Sequence, residues 1–361
     1  MPDKLLGRAR LVAQGLVTQP YGSPGEAVAA HGAMQGQDLP GVVASAALRS
    51  GSEASAVTAA MDAGEIVRGY PMRGTVFLMP AADAAWMGQL CALPAMKAAR
   101  ARQHQLGLDD DRMARAREVA VAALAEAPNG LSRANLFALW EADGQPTKGG
   151  PGYHLLGRMV SETVLFYGPW NGKDQNVVLA ENWVPAGTGL EDRFNGDRIT
   201  AAAEFLRRYL NSHGPATIRD FAWWTKLTLR EARAALDLVV GEFEVGTEPE
   251  PTYWRPGLRE EVRELGDAVA SPVLLPGFDE FILGYQDRLF AMTEEEHQRL
   301  VPGNNGVFGR SVVVDGQVLG LWKRGGRPGK RTLEVVEFTP LSQPVRAALA
   351  DQFERFPFTT P

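Results

Sequence analysis

Two stretches of this chain, GLSRANLFALW at 130–140 and GPATIRDFAWW at 214–224, align without a gap and agree at the glycine, the Phe-Ala pair and the final tryptophan. Each lies where a Gly- or Pro-rich turn hands over to an amphipathic helix, so the agreement marks an internal duplication. A chain with such a repeat is built from small modules. Its 361 residues leave room for several, since one core commonly serves ~100–200 residues.

The order of elements around the repeat says what the module is. Residues 5–19 carry apolar positions at helical spacing, and Ser23 before Pro24 gives a second helix a capping serine and a proline at its first position. A third, alanine-rich helix over 52–63 stops at Gly64. Two β-branched runs, 65–68 and 75–79, then flank a Gly/Pro-containing bend, as a hairpin requires. Three helices and a terminal hairpin make a winged helix. The same order returns at 112–125, 131–140 and 153–161, followed by VLFYG and NVVLA around Asn171-Gly172, a hairpin turn. It returns again at 198–211, 218–224 and 230–240, with a weaker hairpin at 241–254. After Ser271-Pro272 the chain becomes β-rich, with a turn at Asp315-Gly316, and a closing helix over 341–355 holds Pro344 in its first turn.

Composition removes whole classes of function. Hydrophobic residues make up 45 % and charged residues 22 %, the balance of a folded globular protein rather than a disordered one. The single cysteine, Cys91, excludes a disulfide framework and any multi-cysteine zinc or iron–sulfur site, and points to a reducing cytoplasm. No stretch reaches the ~20 apolar residues of a membrane span, and the N-terminus lacks the apolar core of an export signal. His31, His104, His154, His213 and His297 show no metal-ligand spacing, and neither GTGLEDRFNG nor RGGRPGK places glycines between a strand and a helix start. The expectation is therefore no metal and no cofactor.

Net charge is −6, which argues against a uniformly basic coat for nucleic acid. The distribution is uneven. Residues 301–336 carry Arg310, Lys323, Arg324, Arg327, Lys330 and Arg331 against Asp315 and Glu334, whereas 242–267 hold eight carboxylates against three arginines. Only the first of these segments suits a polyanion.

One short motif stands out in HGAMQGQDLPGVVASAALRS. On an ideal helix Gln35 and Gln37 would diverge by ~200°, yet Gly36 and Pro40 allow the backbone to distort so that both amides serve one cleft. Taken alone, the pair reads as two ordinary polar residues of the surface. Asp38, before Leu39-Pro40, is either a turn or cap residue or an acid–base partner. The run Phe221-Ala222-Trp223-Trp224 reads as helix core, with base stacking as the other reading. Asp279, Tyr285, Asp287 and Arg288 form a polar cluster suited to an internal ion pair.

The string MQGQD, followed by a small-residue helix and Arg49, resembles the Gln-x-Gln-Asp segment of the AlkZ/YcaQ-type winged-helix family of DNA glycosylases. RGTVFLMPAADAAWM, HGPATIRDFAWWTKL, LLPGFDEFILGYQDR and VDGQVLGLWKRG are similar to further passages of that family, in the same order. The resemblance implies an α+β fold of three tandem winged-helix motifs followed by a C-terminal β-barrel-like module. The expected boundaries are 1–100, 101–190, 191–262 and 263–361. It also implies hydrolysis of the N-glycosidic bond of alkylated purines, N7-alkylguanine above all, including interstrand crosslinks, with Gln35 and Gln37 as the catalytic pair. The residue between the pair is bulky and apolar in studied members and is Gly36 here.

That chemistry is physically coherent. Glycoside hydrolysis commonly needs one carboxyl group to protonate the leaving group and another to activate water, and glutamine does neither. An N7-alkylated guanine already carries positive charge on the departing base, so only positioning remains: a carboxamide oxygen accepts a hydrogen bond from water and aims it at the sugar. Gln37 is assigned to the water and Gln35 to its support or the deoxyribose. Candidate phosphate contacts are Arg49, Arg68 and Arg73, Lys148 and Lys173, and Arg310, Lys323 and Arg324. The partner is then double-stranded DNA, and a monomer suffices because one chain already repeats the module. A non-catalytic winged-helix regulator is the alternative.

Overall fold

The computed structural model describes residues 3–246, 250–327 and 330–359. By packing, the chain divides into two compact units. One comprises Met1–Val57, Ala203–Trp224 and Thr228–Pro361, and the other Thr58–Ala202 with Thr225–Leu227.

The first unit opens with α1 (Lys4–Ala13), α2 (Pro24–His31), the short strand β1 (Met34–Gln35) and α3 (Leu39–Ser50). The capping expected at Ser23 is present: it accepts from the Glu26 amide with Pro24 behind it. Gly51, not among the helix stops expected from sequence, ends α3 at φ 62°, where a side chain would be strained. Helix α4 (Ala54–Asp62) ends before Gly64, at φ 70°.

In the second unit, β2 (Ile66–Met72) and β3 (Thr75–Pro80) form the expected hairpin, linked by Arg73 and Gly74 with φ 58° and 68°. Helices α5 (Ala81–Cys91), α6 (Leu93–Gln103), α7 (Asp110–Ala125), α8 (Arg133–Ala142) and α9 (Pro151–Ser161) follow, then β4 (Leu165–Trp170) and β5 (Gln175–Leu179). These strands are antiparallel in the order β3-β2-β4-β5, with β2 and β4 joined at Arg68 and Tyr167. The link between β4 and β5 is longer than the Asn171-Gly172 dipeptide suggests. Trp170 pairs with Gln175, and the Asn171 side chain accepts from the amides of Lys173 and Asp174, so the asparagine organises a four-residue loop. Trp140, last residue of the repeat, is fully buried among Ala116, Leu136 and Leu156, and its indole donates to the Ala116 carbonyl at 2.8 Å.

After α10 (Ala180–Trp183) and α11 (Leu190–Phe194), the chain re-enters the first unit within α12 (Arg198–His213) and continues through α13 (Ile218–Thr225) and α14 (Leu229–Val239). The weak third hairpin exists as β6 (Glu244–Gly246) and β7 (Thr252–Trp254); its tip at 247–249 lies outside the described residues. Helix α15 (Leu258–Leu265) packs on α1 through Ala9, Val12, Trp254 and Leu258.

The C-terminal part is β8 (Val273–Leu275), α16 (Glu280–Leu283), α17 (Glu294–Leu300), β9 (Ser311–Val314), β10 (Gln317–Arg327), β11 (Lys330–Glu337) and α18 (Gln343–Glu354). No closed barrel is found among the described residues: the strands form an open antiparallel sheet in the order β11-β10-β9-β8. Closure would need β8 to pair with β11, and a strand of three residues is too short to tilt and stagger around a barrel. Its core joins Leu274 and Trp322 to Leu349, Phe353 and Phe356, and to Ala44 of α3. The sheet therefore anchors the helix that follows the glutamine motif.

Candidate active site

Helix α2 stops at His31 because Gly32 takes φ 74°, outside helical geometry. The chain then runs through the fully buried Ala33 and Met34 into Gln35, which is 6 % exposed, while Gln37 is exposed. Because this stretch is a strand and then a loop, the helical divergence of the two glutamines never arises. The Gln35 carboxamide oxygen instead accepts a hydrogen bond from the Gln37 backbone amide at 3.1 Å. Asp38 occupies the N-cap position of α3 without capping it through its side chain.

Behind this loop lies a buried polar network in the same unit. Glu280, 1 % exposed, accepts from the Gln35 backbone amide, from the Trp224 indole at 3.1 Å and from His213 Nε2 at 3.3 Å. The neighbouring Asp279 takes two bonds of 2.9 Å from the Arg49 guanidinium and one of 2.6 Å from Ser45. Arg49 also donates to Gln14, Gln14 to the Tyr285 hydroxyl, and that hydroxyl to the His213 carbonyl. His31 donates from Nδ1 to the Ala27 carbonyl and accepts at Nε2 from Arg49, which requires a neutral ring. Burial, followed by the charge of Arg49, accordingly holds its pKa well below the usual histidine range. Burial alone would raise the Asp279 carboxyl, but Arg49 outweighs it and holds Asp279 below the ordinary carboxylate value.

Two expected phosphate contacts are corrected by this geometry. Arg49 is fully buried and tied to Asp279, so it presents no charge to solvent. Arg68 is 7 % exposed, donates to the Gln175 side chain at 2.7 Å and lies over the Tyr167 ring. The remaining positions are accessible. Arg73 is half-buried in the β2–β3 turn with its guanidinium over Phe77, and Lys148 and Lys173 are exposed on loops of the second unit. In the first unit Lys323 and Arg324 are exposed on β10, and Arg310 is half-buried beside it.

Arg310 and Arg324 come together with the start of α3. They line a cleft of about 130 Å³ with Pro40, Gly41, Ala44 and Phe358. Arg324 and Arg331 both lie over the Phe358 ring, at 4.9 and 5.2 Å, and Arg310 over Trp322 at 5.1 Å. Partial burial, then repulsion from Arg331 and Arg310, lowers the pKa of Arg324, the mark of a local excess of positive charge. This cleft begins three residues after Gln37.

Glu280 and Gln14 carry no motif in the sequence, and His31 and His213 are weighed there only as metal ligands. One signal was available for the first: Asp279-Glu280 is an acidic pair inside the apolar run LLPGFDEFIL, and charges in such a run must be paired. Phe221 and Trp224 of the aromatic run are fully buried, as a core assignment requires. Among the described residues no group of three or more His, Cys, Asp or Glu is arranged to hold a metal ion, and no helix is long and apolar enough to cross a membrane.

Comparison with known proteins places this geometry. The interstrand DNA cross-link repair glycosylase of Streptomyces sahachiroi is 31 % identical over 169 residues, 44 % of this chain and 43 % of that protein, so the match spans less than half of the curated relative. The solved structure of the Streptomyces sahachiroi DNA glycosylase AlkZ superposes with a TM-score of 0.74 at 20 % identity, covering 97 % of this chain and 94 % of that one, a likeness of fold. A family model for AlkZ-like DNA glycosylases matches residues 28–357, glutamine pair and C-terminal sheet included, and the chain belongs to that family.

Proposed function

We propose that this protein is a monofunctional DNA glycosylase that hydrolyses the N-glycosidic bond of alkylated purines in duplex DNA, N7-alkylguanine and interstrand crosslinks included. The observation that carries the reading is the division of labour between the two glutamines. Gln35 is buried and turns its carboxamide oxygen to the Gln37 amide, while the Gln37 side chain is exposed at the mouth of the loop. Gln37 then accepts a hydrogen bond from water and aims it at the anomeric carbon, and Gln35 fixes the loop that presents it. The base is cationic before cleavage and leaves neutral with the glycosidic electron pair, so no general acid is required; the positive charge passes to the sugar, and the attacking water releases its proton to solvent. Water is the nucleophile and no lysine is needed.

The Arg310, Arg324 and Arg331 cluster beside α3 supports the same reading, because phosphate contacts set register while carrying little sequence information. Lys323, Arg73, Lys148 and Lys173 are the further phosphate contacts. The three hairpins with their preceding helices are read as three winged helices, over 1–100, 101–190 and 191–262, with 263–361 as a C-terminal module. The protein acts as a monomer in the cytoplasm.

The test is a duplex carrying N7-methylguanine, incubated with protein and then cleaved by alkali at any abasic site. Wild type releases base, and Gln35→Ala and Gln37→Ala release it roughly 10²-fold or more slowly. Equal release by wild type and both variants refutes the site. Binding without release from methylated and crosslinked duplexes alike favours a non-catalytic regulator.

A further inference from the structure

We infer that Glu280 is a positioning residue for the catalytic loop: its carboxylate holds the backbone amide of Gln35 and, through Gln35, sets where Gln37 presents its carboxamide. The role in catalysis rests on the glycosylase reading above; the anchoring itself does not. Glu280 is 1 % exposed, and its oxygens are divided between two tasks. Oε1 accepts from the Gln35 amide. Oε2 accepts from Trp224 Nε1 and His213 Nε2, both on buried helical residues of the same unit. One end of the carboxylate is thus bolted to rigid core and the other to the loop.

A relay of two hydrogen bonds follows. Glu280 fixes the amide of Gln35, and the Gln35 side chain fixes the amide of Gln37 at 3.1 Å. The first of the two has a carboxylate acceptor excluded from water, and charge-assisted bonds are roughly twice as strong as neutral ones such as the second. The anchor is itself held. Asp279, one residue before, is locked to Arg49 and Ser45 of α3, and a Cβ on Gly284 would lie 2.5 Å from the His213 ring. The turn carrying Glu280 therefore sits too close to His213 for a side chain at that point.

Glu280→Gln is the informative substitution. Glutamine keeps the volume but replaces one acceptor oxygen with an NH2 group, so a donor must face either the Gln35 amide or the Trp224 and His213 donors. Three measurements on the full chain decide the matter: hydrogen exchange at the Gln35 amide, single-turnover release of N7-methylguanine, and affinity for the same duplex.

The expected result for Glu280→Gln is exchange at Gln35 faster by about tenfold or more and base release slower by roughly 10–10²-fold, with affinity within about twofold. In a Gln35→Ala background the same substitution costs less than about threefold, because the group it positions is already gone. Glu280→Asp, which keeps both acceptor oxygens, restores part of the rate and serves as the test if the glutamine variant does not fold. Unchanged exchange at Gln35 overturns the proposal. So do losses that multiply with Gln35→Ala, or a rate loss matched by an equal loss of affinity. If wild type releases no base from any duplex, the glycosylase reading falls, and exchange at Gln35 alone still decides whether Glu280 holds the loop.

Discussion

Arg49 and Asp279 face each other through two parallel hydrogen bonds of 2.9 Å, one from each terminal guanidinium nitrogen, with neither side chain more than 1 % exposed. The pair joins α3 to the turn before α16, directly behind the glutamine loop. Its worth is conditional, since a buried ion pair stabilises little against an apolar replacement but costs heavily when one partner is removed.

Arg49→Met should therefore lower stability by about 3–5 kcal/mol, read by urea unfolding. Adding Asp279→Leu to it should recover part of that loss, because no uncompensated charge then remains. DNA affinity, measured well below the unfolding midpoint, should stay within about twofold of wild type, as a buried guanidinium contacts no phosphate.

His31 gives a pH dependence with a definite sign. Its folded pKa lies below the ordinary value near 6.5, so between those two values the unfolded chain binds more protons than the folded one. Stability is then complete above about pH 6.5 and is lost as pH falls through the window beneath it, by at most ~1.4 kcal/mol per pH unit. His31→Gln, which can still donate to Ala27 and accept from Arg49, should flatten this part of the profile in melts between pH 7.5 and 5.5. An unchanged slope would show that His31 does not titrate there.

Gly41 is tight. A Cβ added there would sit 2.8 Å from an Asp38 carboxylate oxygen and 2.9 Å from the Gly277 carbonyl, and the second neighbour is backbone. Gly41→Ala should cost about 1–3 kcal/mol and slow base release by displacing the first turn of α3, to which Gln37 is tethered. Thermal melts and single-turnover rates of this variant check both.

The arginine cleft and Arg68 should separate in a salt titration. Arg324→Ala should reduce the slope of log affinity against log salt by about 0.9 for each phosphate that Arg324 neutralises. Arg68→Ala should leave the slope unchanged while lowering stability, because its guanidinium is engaged by Gln175.

Local grammar in the sequence is a sound guide to the elements. Ser23, Gly51 and Gly64 act on their own neighbours, and their helix ends lie where residue chemistry demands. Fates decided over long separations are not legible. Arg49 looks like a surface cation after an alanine-rich helix, and only a partner 230 residues away makes it a core residue. Alternating residues near Val312 and Val318 specify strands, but whether a sheet closes depends on the length of β8, which no periodicity states. Asn171-Gly172 misleads for a local reason, as the asparagine side chain captures two amides and lengthens the loop. The glutamine pair stands out by resemblance; residues and spacing alone leave it indistinguishable from ordinary polar residues facing solvent.

Trp140 and Trp224 end the two copies of the repeat, both wholly inside their cores. In one copy the indole donates to a helix carbonyl, Ala116, within its own module. In the other the same atom donates to Glu280 beneath the glutamine segment. The ring nitrogen of Trp224 thereby ties the geometry of residues 33–37 to a helix nearly two hundred positions downstream. Damage to that distant helix would surface as a misaligned loop near the start of the chain rather than as a fault in the helix itself.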